Sequence, residues 1–212
     1  FKVLVRKHNG GAELLKIQTV VSSLIRLKSG ELSYITKRID RTTKGEKIHM
    51  LDMFQITEAF DKYRSSMEKV GKAVIEHSSH TLLDVLRLYE LVIFTYITGN
   101  NDMHLKNFSL ILKDENWGFA PAYDLLNAQL HLSEDKEETA LTIGGKKSRL
   151  TKSDFIILGV KFGLSEKQIE NVFQRFIKAE KKLLLLIDQS FLREANKIKY
   201  KDLLTQRLHL FK

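Results

Sequence analysis

Apolar and polar residues alternate over residues 23–27 and again over 32–36, on either side of Lys28-Ser29-Gly30-Glu31. A period of two around a glycine-containing turn predicts a β-hairpin. Residues 1–7 are strand-like and end at the turn Asn9-Gly10-Gly11, and residues 11–20 read as the tail of a helix entering a strand. From residue 47 the period lengthens. Ile48, Leu51, Phe54, Gln55, Ala59 and Phe60 approximate one face of an amphipathic helix, and Met67, Val70, Ala73 and Val74 mark a second over 66–77. Residues 81–98 carry apolar side chains on nearly every face, as the central buried helix of a domain does. Short extended runs follow at 108–112 and 117–123, then an exposed loop over 125–138 and a short strand at 139–143. Thr151…Asp154 and Ser165…Gln168 fit capping boxes, opening helices to about residues 161 and 190; a last helix covers about 191–209.

This pattern predicts a mainly α fold with a small β component, and composition changes little in it. The apolar share of 43% and charged share of 29% are those of an ordinary globular chain. The helix at 81–98 contains Asp84, Arg87 and Glu90, so it reads as a core helix and not as a membrane span. With no cysteine there is neither a disulfide nor a thiolate metal site, which suits a cytoplasmic location. The net charge of +9 is compatible with attraction to nucleic acid or an acidic partner, but the positive residues are scattered, and a lysine-rich solvated surface is the preferred reading. His77 and His80 flank two serines with no cysteine beside them, and a solvated linker is the preferred reading over a metal site.

Chemistry concentrates where the central helix ends. Thr98-Gly99-Asn100-Asn101-Asp102-Met103-His104-Leu105-Lys106-Asn107 packs ionisable and amide side chains into a turn between two elements that should be buried. Asp102 and Asn107 have the Asp-x-x-x-x-Asn spacing of a kinase catalytic loop, in which the Asp takes the substrate hydroxyl proton and the Asn holds magnesium. Asp124 lies 17 residues beyond Asn107, and a strand, a turn and a returning strand would bring it back beside the loop. The motif around it is Tyr-Asp-Leu in place of Asp-Phe-Gly.

The loop, together with Ala120-Pro121-Ala122-Tyr123-Asp124-Leu125-Leu126, Ile35-Thr36-Lys37-Arg38-Ile39-Asp40-Arg41 and Ala140-Leu141-Thr142-Ile143-Gly144-Gly145-Lys146-Lys147, resembles the HipA family. These are bacterial serine/threonine kinases, the toxin halves of toxin–antitoxin pairs, and the four ordered motifs cover roughly residues 12–160. The resemblance implies a protein-kinase-like C-terminal lobe of the HipA type. Residues 1–41 would form a partial N-lobe with a β-hairpin and hinge, and residues 42–212 the helical C-lobe. It implies ATP and Mg2+ as cofactors, with Asp102 as catalytic base and Asn107 and Asp124 as metal ligands. Lys37, Arg38 and Ile39 would meet the adenine and Asp40 the ribose. His104 and Lys106 would lie around the phosphates, and Tyr123 would pack against the nucleotide. By the same resemblance the partners would be a protein substrate and a DNA-binding, HipB-like antitoxin, through which the chain would meet DNA indirectly.

Only 36 residues precede the hinge-like motif, so the N-lobe is expected to be truncated. Lys7 is the one candidate among them for a phosphate-binding lysine. The Gly144-Gly145-Lys146 turn lacks Walker spacing and reads as a basic turn on the substrate side of the cleft. A second possibility stands beside catalysis: a catalytically incomplete fold of this type, acting as an interaction domain for an antitoxin or nucleic acid.

Overall fold

The helix at the centre, α4 (Thr81–Ile97), explains most of the architecture. In the computed structural model, which describes residues 10–130 and 136–212, its Leu88, Tyr89, Val92, Ile93 and Ile97 are fully buried. Before it come α1 (Gly10–Leu14), the hairpin β1 (Ser22–Arg26) and β2 (Leu32–Thr36), then β3 (Met50–Asp52), α2 (Met53–Ile56) and α3 (Met67–His77). After it come the 3-10 turn Leu105–Asn107, β4 (Ser109–Lys113) and β5 (Asn116–Phe119). The helices α5 (Lys152–Lys161), α6 (Glu166–Asp188) and α7 (Glu194–His209) complete the chain. The expected strand over residues 1–7, and Lys7 with it, lie outside the described residues.

The expected hairpin is present as an antiparallel pair in which Leu24 faces Tyr34. Three helices start where their side chains satisfy the first free amides: Ser66 accepts from the Lys69 amide, and Thr151 and Ser165 form capping boxes with Asp154 and Gln168. Gly71 gives α3 its close approach to the rest of the core, since a Cβ there would lie 2.1 Å from Phe162. Phe155, Phe173 and Phe211 pack with Tyr96 into one aromatic cluster, with ring centroids 4.7–6.0 Å apart.

Three expectations are corrected. The helix expected from residue 47 is a strand followed by one helical turn, because Met50, Leu51 and Asp52 pair with Ile111, Leu110 and Ser109 of β4. Asp52 then caps α2 through a capping box with Gln55, and Phe60 ends fully exposed. The expected strand at 139–143 is not one either. Thr142 makes a single bridge to Ser66, and Ile143 closes on Lys146 around Gly144 and Gly145, whose φ values of 58° and 80° set a tight turn. The loop after Asp124 is also less exposed than expected, with Asn127 and Ala128 buried.

Both ends of α4 are tied down by buried charge. Asp84, in the first turn, accepts from the Ser78 hydroxyl at 2.6 Å, the Phe119 amide at 2.8 Å and Arg87 at 3.1 Å. That is where a helix dipole favours a carboxylate. At the other end the buried Arg207 of α7 donates to the Tyr96 carbonyl and, at 2.6 Å, to Gln129 Oε1. A guanidinium thus sits at the negative end of α4. None of the described helices is long and apolar enough to cross a membrane.

Candidate functional site

The turn after α4 is shaped by two residues. Gly99 has φ +74° and no room for a side chain, since a Cβ would stand 2.6 Å from Leu203 and 2.8 Å from Asn127. Asn100, buried beside it, donates from Nδ2 to the Asp124 carbonyl at 3.1 Å, while its Oδ1 accepts from the Asp102 amide at 3.4 Å. One amide side chain therefore clips the loop carrying Asp102 to the segment carrying Asp124. Asp124 itself has φ 54°, a left-handed conformation that Asp tolerates better than most residues.

Asn107 closes the loop from the other side, donating from Nδ2 to the Asp102 carbonyl at 3.0 Å. That bond fixes which way the amide faces. Among the described residues nothing donates to Asn107 Oδ1, which is left as a free acceptor. Asp102 is divided in the same way. Its Oδ1 accepts from the Tyr63 hydroxyl at 2.8 Å, whereas its Oδ2 has no donor among the described residues. Tyr123 secures the Asp124 segment: its hydroxyl donates to the Lys106 carbonyl at 2.9 Å and lies 2.6 Å from Ser109 Oγ. Burial pushes that phenol up to about 12, so it stays a donor.

His104 is buried between two residues from the segment before α3. Lys62 Nζ lies 3.0 Å from His104 Nε2, and the Tyr63 ring meets the imidazole edge-on at 5.1 Å. An ammonium can only donate, so Nε2 accepts and the proton resides on Nδ1, which has no partner among the described residues. Burial and the Lys62 charge both lower the His104 pKa and keep the ring neutral. Lys106 turns away from this cluster and holds its ammonium 4.8 Å over the Phe54 ring.

The hairpin is stitched to the same region. The Val20 amide donates to the Ala122 carbonyl at 3.0 Å and the Ala122 amide to the Gln18 carbonyl at 2.8 Å. Tyr34 of β2 is near enough to Asp124 for the carboxylate to help raise its pKa, behind the larger effect of burial. The hinge-like residues follow directly after the end of β2 at Thr36. The Lys37 amide donates to the Val21 carbonyl at 2.8 Å, extending the hairpin, and Ile39 follows in the connection to β3. Arg38 and Asp40 form a solvent-facing ion pair, joined by Arg41 at 2.6 Å. The Arg38 guanidinium holds the Asp40 carboxyl down to about 2. The structure thus gathers Asp102, His104, Asn107, Tyr123 and Asp124 into one locus, with Lys106 facing Phe54 and the 37–40 segment carrying its own ion pairs.

The family of the HipA-like C-terminal domain matches residues 11–183, most of the chain. The chain belongs to that family. A putative kinase of Haemophilus influenzae is 24% identical over 188 residues, which is 76% of this chain and 55% of that protein. A putative kinase of Sinorhizobium fredii is 34% identical over 162 residues, 70% of this chain and 38% of the relative. The chain therefore spans about half or less of the curated relatives it matches. Its fold is that of HipA from Shewanella oneidensis, solved with HipB and operator DNA, with TM-score 0.76, 16% identity, and coverage of 93% of this chain and 53% of that one. The proinflammatory kinase CtkA of Helicobacter pylori shares the fold with TM-score 0.65 and 16% identity over 94% of this chain and 79% of its own.

The expectations from sequence did not include Lys62, Tyr63 or the clipping role of Asn100. Tyr63 lies 39 residues before Asp102, and no periodicity or spacing connects them. Asn100 was legible as a turn residue, but its partner at Asp124 is a tertiary contact.

Proposed function

We propose that the chain carries the catalytic half of an ATP-dependent kinase that phosphorylates a serine or threonine of a protein. The observation that carries this reading is the pair of open acceptors, Asp102 Oδ2 and Asn107 Oδ1, on a loop clipped to Asp124 by Asn100. Asp102 receives the proton of the attacking hydroxyl through Oδ2. Asn107 Oδ1 and the Asp124 carboxylate are hard oxygen donors of the kind Mg2+ takes when phosphates fill the rest of its shell. They are too few to hold the ion alone, and among the described residues no group of three or more His, Asp or Glu forms a metal site. Bound together, Mg2+ and ATP supply the transferable phosphoryl group and offset its charge.

In the same reading residues 1–41 form the partial N-lobe and hinge, and 42–212 the catalytic lobe. Lys37, Arg38 and Ile39 meet the adenine, and Asp40 the ribose. His104 and Lys106 lie on the phosphate side, and Tyr123 bears on the nucleotide. In the same reading the protein is the toxin of a toxin–antitoxin pair in the cytoplasm, held by a HipB-like antitoxin that connects it to DNA; the fold shared with a HipA solved together with HipB and operator DNA supports this part. The test is a calorimetric titration with ATP, with and without Mg2+, on the chain and on Asn107→Ala and Asp124→Asn. Asn keeps the left-handed backbone at 124 while removing the charge. Magnesium-dependent binding that weakens at least about tenfold in both variants is expected, a loss of about 1.4 kcal/mol. Equal binding by all three proteins, or none by any, would leave the fold as an interaction domain.

A further inference from the structure

Tyr63 stands against the Asp102 carboxylate from outside the loop. Its hydroxyl meets Asp102 Oδ1 at 2.8 Å, its ring abuts His104, and the Lys62 ammonium lies 4.8 Å from its centroid. The segment bearing it is itself fixed. The Tyr63 amide donates to Asp61 Oδ1 at 2.8 Å, and the Leu105 amide, inside the loop, donates to the Lys62 carbonyl at 3.1 Å. Lys62 then reaches His104 Nε2. Two neighbouring side chains and one carbonyl from a separate segment thus grip the loop at Asp102, His104 and Leu105.

A carboxylate on a loop can turn about its χ angles, and a phosphoryl acceptor has to find one oxygen in one place. We propose that Tyr63 is a positioning residue that fixes the Asp102 carboxylate by occupying Oδ1 and leaves Oδ2 to the acceptor hydroxyl, with Lys62 and His104 holding Tyr63 in place. This rests on Asp102 being the catalytic base. The phenol suits the task, because burial and the adjacent carboxylate push its pKa up to about 12 and it remains a donor throughout the working range. Tyr63 touches Asp102 and not the metal-binding pair, so its loss should reduce turnover and leave ATP affinity alone.

The experiment has two readouts on the full chain, with wild type, Tyr63→Phe, Asp102→Asn and the double variant. Phe keeps the ring against His104 and Lys62, and thermal melts check that each variant folds. The first readout is the NMR signal of the Tyr63 ring carbon bonded to oxygen, in protein labelled at that carbon. That signal should shift in Asp102→Asn at pH 7, where the chain is folded and the phenol protonated, because the hydrogen bond to the carboxylate is lost. An unmoved signal means the contact is absent and overturns the proposal, whatever the chain catalyses. The second is ADP release from Mg-ATP with water as acceptor. Tyr63→Phe should lower kcat about tenfold with KM for ATP within about twofold, and should cost nothing further in the Asp102→Asn background. An unchanged kcat, a parallel rise in KM, or a full additional loss in the double variant overturns the positioning role. A moved NMR signal with no ADP release by any variant means that the kinase reading has failed, and the role of Tyr63 in it falls too, while the contact stands as a structural one.

Discussion

At the scale of single residues, the site depends on amide side chains that each serve two segments. Asn100 bonds the Asp124 carbonyl and the Asp102 amide from a buried position, so replacing it removes one hydrogen bond from each segment at once. Asn100→Ala should destabilise the fold by about 1–3 kcal/mol, the usual cost of leaving a buried polar partner unsatisfied. Asn100→Asp should cost more, because a carboxylate would then face the Asp124 carbonyl in place of an N–H donor. Urea denaturation gives both numbers. An Asn100→Ala stability within error of wild type would show that the clip is not formed in solution.

Among elements, α4 matters most, since its C-terminus carries the loop. Arg207 holds that end from α7, and burial lowers its pKa against the smaller opposing effects of Tyr96 and the half-buried Glu138. Arg207→Met keeps an apolar stem but removes the cation from the last turn. A loss of about 2–3 kcal/mol is expected, combining an orphaned carbonyl with the helix-dipole interaction. Amide hydrogen exchange should accelerate over residues 98–104 ahead of the rest of α4, and uniform acceleration along the helix would argue against a local role. The helices were legible because their signals are local: a cap at Ser66, Thr151 or Ser165 followed by an apolar stripe. The acids of the site were legible for the same reason, as fixed spacings along the chain. The region 47–60 was misread because β3 exists only through its pairing with β4 some sixty residues later, and no local period reports that. Its one local clue was Asp52…Gln55, a capping box that starts a helix at Met53 and so excludes one through Leu51. Tyr63 and Arg207 had no local clue at all, because what they do is defined by residues far away in the chain.

For the molecule as a whole, the tyrosines give a common pH response. The chain has six, and burial is the leading cause of a raised pKa at every one: Tyr34, Tyr63, Tyr89, Tyr96, Tyr123 and Tyr200. Tyr63, Tyr96 and Tyr123 are pushed up to about 12. Below pH about 10 the phenols are protonated in folded and unfolded chains alike, and stability is complete with respect to them. Between about 10 and 12 the unfolded chain releases these protons while the folded chain retains them, so stability falls as pH rises through that window. For the deeply buried Tyr96, two pKa units correspond to about 3 kcal/mol. Melting temperatures followed by circular dichroism should therefore vary little with these groups up to pH about 9.5 and fall steeply above 10. The phenolate absorbance of the buried Tyr89, Tyr96 and Tyr200 should appear together with unfolding and not before it. Tyr96→Phe removes one ionisable group from the core and should make the decline shallower. Phenolate absorbance that develops fully in a chain still folded would mean that Tyr89, Tyr96 and Tyr200 are less buried than the packing around α4 requires.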